Sequence, residues 1–143
     1  MALHWTISHP QRLVIALAKG PLAFDELDGY LAALVREEAL GYRKIFDVTH
    51  APGSLTPDMI SALAQRVRSL GERMLLGPLA IVAASDESYI QARQFAAEAV
   101  ARRPLTIFRE MHAARRWLDG AALPEARDPQ PPPFRDDSGS GRE

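Results

Sequence analysis

The chain has 143 residues, 47% of them hydrophobic, a formal net charge of −1 and no cysteine. This length suits one domain with a single core, and the absence of cysteine excludes disulfides, thiol nucleophiles and thiolate metal sites. The near-neutral charge argues against nucleic acid as a partner, and no run approaches the ~18 apolar residues of a membrane span. The opening "MALHWTISHPQR" lacks the basic start and apolar run of a signal peptide, so a cytoplasmic location is expected.

In chain order, "LHWTIS" alternates Leu3, Trp5 and Ile7 with polar residues, and "RLVIALA" is more continuously apolar. The intervening "HPQR" predicts a hairpin. Lys19-Gly20-Pro21 breaks the pattern, and from Phe24 the period becomes helical: Phe24, Leu27, Tyr30, Leu31 and Leu34 recur every three to four residues, with Gly41 as the expected end. "RKIFDV" reads as a strand ending near Asp47, and Ile60, Leu63, Val67, Leu70 and Met74 mark a second helix weakened near Gly71.

"PLAIVAAS" is apolar at successive positions, as in a strand covered on both faces. Ser85-Asp86-Glu87 predicts the cap and acidic first turn of a third helix, carrying Tyr89, Ile90, Phe95, Ala96, Ala99 and Val100. Arg102 and Arg103 are expected to complement its C-terminal dipole before Pro104 stops it. "LTIF" reads as a last strand, and "REMHAARRWL" as a helix with Met111, Ala114, Trp117 and Leu118 on one side. From Asp119 the composition changes: six acids stand against three arginines, with five of the eleven prolines. A domain over residues 1–118 and a disordered, Pro-rich acidic tail over 119–143 are expected. "PQPPP" offers polyproline II docking as the less favoured role for that tail.

Two strands followed by alternating helices and strands predict an α/β fold. Its sheet should be mixed and mostly parallel, with an antiparallel N-terminal edge strand and about four helices. This order resembles the STAS fold of sulfate-transporter and anti-sigma-factor antagonist domains. More closely it resembles the stand-alone bacterial SpoIIAA-like proteins, which are related to lipid-binding CRAL-TRIO folds. The likeness is carried by "TIFREMHAARRWL", with Phe108, Ala114, Trp117 and Leu118, and by "RKIFDVT" with Asp47 and "LAIVAAS". It spans about residues 3 to 118. The resemblance implies a non-enzymatic domain that binds a small apolar or anionic, lipid-like ligand or a regulatory protein partner, with a homodimer also compatible. Antagonists of the family carry Asp-Ser-Ser/Thr-Gly with a phosphorylated serine. Here the loop reads "HAPGSLTPDM", so Ser54 and Thr56 are phosphorylation candidates without the family's flanks.

Ligands of open parallel sheets lie beyond the carboxyl ends of the strands. Asp47, Thr49, His50, Ser54 and Thr56 are expected at one such end, Ser85, Asp86 and Ser88 at the next, and Arg109 at a third, forming a binding rim. The same residues also read as scaffold: Thr56 as an N-cap, Pro57 at the first helical position, Asp58 at the positive helix end and Pro52-Gly53 as a turn. Ser54, His50 and Asp47 could be assembled into a hydrolase triad, but no oxyanion-hole motif or G-x-S-x-G elbow accompanies them, and no catalytic residue is assigned. The histidines His4, His9, His50 and His112 lack ligand spacing, so neither metal nor cofactor is expected. "ERMLLGPL" concentrates Met74, Leu75, Leu76 and Leu79 around Gly77-Pro78, either as the bottom of the core or as the lip of an apolar cavity or dimer contact.

Overall fold

The computed structural model describes residues 2–51, 55–99 and 103–121. Ser54, the Pro52-Gly53 turn, Val100, Arg102 and the tail from residue 122 onward lie outside them. Strands β1 (Leu3–Ser8) and β2 (Leu13–Lys19) form the expected antiparallel hairpin, in register from Leu3↔Ala18 to Ser8↔Leu13. Then follow α1 (Phe24–Arg36), β3 (Arg43–His50), α2 (Pro57–Arg73), β4 (Leu79–Val82), α3 (Asp86–Glu98), β5 (Leu105–Phe108) and α4 (Met111–Asp119). The sheet runs in simple order β1-β2-β3-β4-β5, and every pair after the first is parallel. The mixed, mostly parallel α/β fold expected from the alternation is therefore the one adopted.

The strand order determines where the helices go. Parallel crossovers are right-handed, and each new strand is added at the same edge, so α1, α2 and α3 all fall on one face. Only α4, which follows the last strand, covers the other. The packing agrees. Ile45, Ala80 and Val82 are buried with Ala114 and Leu118 of α4, while Leu79, Ile81 and Ala83 pack with Ala92 of α3. A third cluster joins Leu3, Val14, Ala16 and Ala18 of the hairpin to Leu27, Leu31 and Leu34 of α1 and Val67 and Leu70 of α2. All four residues of β4 are buried, as expected of a strand covered on both faces. Trp117 packs on Phe108 with ring centroids 5.7 Å apart, fastening α4 to the sheet.

Two helix ends differ from their sequence reading. Helix α1 stops at Arg36, not at Gly41. Ala39 N–H donates to the Leu34 carbonyl and Glu38 N–H to that of Val35, the paired bonds of a Schellman motif. Glu38 occupies the left-handed position at φ 58°, which a side chain opposes and glycine does not. Helix α2 runs through Gly71 to Arg73, and Met74 is already extended. In α3 it is Ser88 and Ala92 that are buried, whereas Ile90 points outward at 67% exposure.

The start of the chain is tied to α1 by one carboxylate. Glu26 accepts from Ala2 N–H at 2.9 Å and Leu3 N–H at 3.2 Å, and its other oxygen accepts from Ala23 N–H at 3.4 Å. These bonds favour the ionised form and hold its pKa below the usual carboxylate range, the Leu3 amide contributing most.

Replacing the strained Schellman residue should stabilise the fold. Glu38→Gly is expected to raise the unfolding free energy by about 1 kcal/mol, measured as a higher urea midpoint at unchanged m-value.

Candidate functional site

Thr49, His50, Thr56, Ser85, Asp86 and Arg109 lie at or just beyond the carboxyl ends of three adjacent parallel strands, but most of the rim's described polar atoms serve the scaffold. Asp47 does not end β3. It pairs with Leu17 and Val82 inside the sheet, and its Oδ1 accepts the Thr49 N–H at 2.9 Å. Thr56 Oγ1 accepts from Met59 N–H at 3.2 Å, and Ser85 Oγ accepts from Ser88 N–H at 3.0 Å, so both are N-caps. Arg109 donates to the Ala84 carbonyl at 3.1 Å and to Asp86 Oδ1 at 3.0 Å, and lies over the Tyr89 ring. His50 is exposed, and its carbonyl accepts from Gly20 N–H at 2.9 Å. Arg109 and Asp86 are thus brought together. Ser54 lies outside the described residues. Among the described residues, no group of three or more acidic or histidine side chains is placed to hold a metal ion.

A different site opens beneath the three-helix face. Alternation along β3 sends Lys44, Phe46 and Val48 toward α1–α3, where they line a cavity with Leu79 and Ile81 of β4. Its other walls are Leu27, Tyr30, Leu31 and Leu34 of α1, Ile60, Leu63, Val67 and Leu70 of α2, and Ser88, Gln91, Ala92 and Phe95 of α3. Helix α2 lies against α3 and α1, and its inward side chains bound the space together with theirs. The cavity holds about 100 Å³ and its lining is overwhelmingly apolar. Of the described rim residues, Ser88 alone borders it.

The cavity is polar at both ends. At the carboxyl ends of the strands, Ser88 Oγ donates to the Val48 carbonyl at 3.4 Å and Gln91 donates to the Leu55 carbonyl at 2.8 Å, joining α3 to β3 and to the segment before α2. At the amino ends lie Lys44, Tyr30 and Arg103. Lys44 is only 3% exposed. Its Nζ donates to the carbonyls of Leu40 at 2.6 Å and Tyr42 at 2.8 Å. Arg103 Nη1 donates to the Gly77 carbonyl at 3.3 Å, while Arg103 Nε and the Tyr30 hydroxyl are buried without a hydrogen-bond partner. The Tyr30 ring itself is wedged edge-on between Trp5 and Phe46, each with its centroid 5.5 Å away.

Burial explains the electrostatics of this cluster. Desolvation, helped by the positive charge of Arg103, pushes the Lys44 amine well below its ordinary 10.5. Burial lowers Arg103 to about 10, opposed by Tyr30, and burial raises the Tyr30 phenol above its usual range. Gly77 makes the arrangement possible. Its N–H donates to the Leu40 carbonyl, and a Cβ there would overlap the carbonyl oxygens of Gly41 and Tyr42. The "LLGPL" run therefore serves as cavity wall at Leu76 and Leu79, while Leu75 is half exposed.

Reading the sequence missed this cluster. Tyr30 counts there only as a helix-face apolar residue and Arg103 as a dipole partner for α3, whose last turn in fact carries no basic residue. The available signal was the alternation Lys44, Phe46, Val48, which places a lysine on the buried side of a central strand. A second, larger depression of about 370 Å³ lies beside α4, bordered by Gln11, Arg43, Arg115 and Asp119. It is shallow and charged, and Arg43 there already donates to the Gln11 carbonyl at 2.8 Å.

Compared with models of known protein families and with curated proteins, the chain matches none. No helix among the described residues is long and apolar enough to cross a membrane.

Two outcomes follow from the buried amine and its glycine neighbour. The Lys44 proton is held less tightly in the folded chain than in the unfolded one, so between the depressed value and about 10.5 the unfolded state binds more protons and native stability rises with pH. Lys44→Met removes that rise. The stability of the native chain relative to this variant should increase as the pH is raised toward about 10.5, by at most about 1.4 kcal/mol per pH unit, in urea titrations at each pH. Gly77→Ala should cost about 3 kcal/mol or more through backbone overlap, read by the same titration.

Proposed function

We propose that the protein is a non-enzymatic binding domain of the SpoIIAA-like or STAS-like kind, taking a small apolar or amphiphilic molecule into the cavity between the sheet and α1–α3. The observation that carries this reading is a continuous apolar space in the middle of the domain, lined from four directions and ending in polar groups. Native cores are close-packed and keep few voids larger than a water molecule, so a space of about 100 Å³ on the main face of the sheet has the character of a site. It is somewhat smaller than the ~150 Å³ apolar cavity known to admit benzene. Its occupant is therefore a molecule of a few carbons, or the end of a longer chain.

The corner at the carboxyl end of β3 gives less support to phosphorylation at Thr56 or to hydrolysis by a Ser54, His50 and Asp47 set. The Thr56 oxygen is engaged in capping α2 and an Asp47 oxygen holds the adjoining backbone. Both are roles that folding alone requires.

Thermal melts with hexanol test the cavity. At tenfold excess over Kd, binding adds about 1.4 kcal/mol, a rise of roughly 5 °C for a domain of this size. Ala92→Leu, which fills the space from α3, is expected to fold and to lose that rise. Equal shifts in both proteins would place the alcohol elsewhere and overturn the reading.

A further inference from the structure

We propose that the amino-terminal end of the cavity is a carboxylate site, formed by Lys44, Tyr30 and Arg103, so that the ligand is a short aliphatic monocarboxylate bound head-down with its tail along Phe46 and Val48. This rests on the cavity being a ligand site and goes further by naming the ligand's chemical class.

Four observations converge on it. Two cationic side chains line one end of an apolar space, yet among the described residues the salt bridges join other groups: His9 to Glu37, Arg66 to Asp28 and Arg109 to Asp86. A buried base without a counter-charge is pushed toward its neutral form, and a bound anion is what would restore its proton. Donors are also left over. The Tyr30 hydroxyl and Arg103 Nε are buried without acceptors, and a protonated Lys44 retains one N–H beyond the two given to Leu40 and Tyr42. A carboxylate, with two oxygens and about four lone-pair directions, can accept all three. Thirdly, the carbonyls of Leu40, Tyr42 and Gly77 fix the two cations from behind, which pre-organises them. Finally, the opposing charges felt by these groups agree with their proximity: Arg103 lowers the Lys44 pKa, and Tyr30 raises that of Arg103.

Inorganic phosphate could use the same donors but would gain nothing from the apolar walls. Hexanol would gain from the walls without satisfying the cations. Calorimetric titration of the full chain with hexanoate, hexanol and inorganic phosphate separates these cases. Hexanoate should bind at least about tenfold more tightly than hexanol, the scale of one hydrogen bond to a charged group, and phosphate should bind more weakly than hexanoate. Tyr30→Phe should weaken hexanoate about tenfold and hexanol by clearly less, since a neutral hydroxyl loses the smaller hydrogen bond. Arg103→Met, which keeps an apolar stem, should weaken hexanoate at least as much. If Arg103→Met does not fold, Tyr30→Phe, which deletes one oxygen, decides the matter. Equal affinities for hexanoate and hexanol would overturn the carboxylate site while leaving the cavity intact. Binding of neither would overturn both, and phosphate binding as tightly as hexanoate would overturn the aliphatic ligand.

Discussion

The handedness of the parallel crossover is the constraint on which the rest of this architecture depends. With strands added in sequence order at one edge, right-handed connections force three successive helices onto the same side. All three share one face of a sheet in which two of the five strands are only four residues long. Helix α2 packs against both of its neighbours, and its Val67 and Leu70 join the core over the hairpin. The space between the sheet and these helices is where their side chains meet, and side-chain choice decides whether it is filled. Leucine, isoleucine and valine line it without closing it.

The far side of the sheet is treated differently. One short amphipathic helix, fastened by Ala114, Trp117 and Leu118, covers the centre of the sheet through Ile45, Ala80 and Val82. The two faces of β3 therefore carry different tasks. Ile45 supports packing on the α4 side, and its neighbours Lys44 and Phe46 face the cavity. A single-residue change of register would exchange the two, so the parallel pairing of Lys44 with Val14 and Leu79 is what keeps the amine inside.

The fold was largely legible because its signals are local. The change from alternation to helical period at Phe24, the Thr56-Pro57 and Ser85-Asp86 starts, and the apolar "LAIV" strand each follow from neighbouring residues. The α1 end was misread because its left-handed position holds Glu38, not the nearby Gly41, and the motif is recognised by backbone bonds that no residue type announces. The candidate site was less legible for a physical reason. Tyr30, Lys44 and Arg103 are 14 to 73 residues apart in the chain and meet only through tertiary packing. The polar residues that did stand out, Asp47, Thr56 and Ser85, are conspicuous because turns and caps need them. Local chemistry in a sequence reports local structure first.

The carboxylate of Glu26 has a consequence for how the sheet meets other molecules. An outer strand with free amides is a template on which another chain can pair, and β1 is such a strand. The amide of its first residue, Leu3, and that of Ala2 just before it are occupied by a side chain from α1, while the opposite border, β5, spans only Leu105–Phe108. Both margins are thereby blunted against strand addition. Because one of the two devices is an ionised group with a lowered pKa, it persists through mild acid and fails in strong acid, where protonation would release the amides of Ala2 and Leu3 for intermolecular pairing.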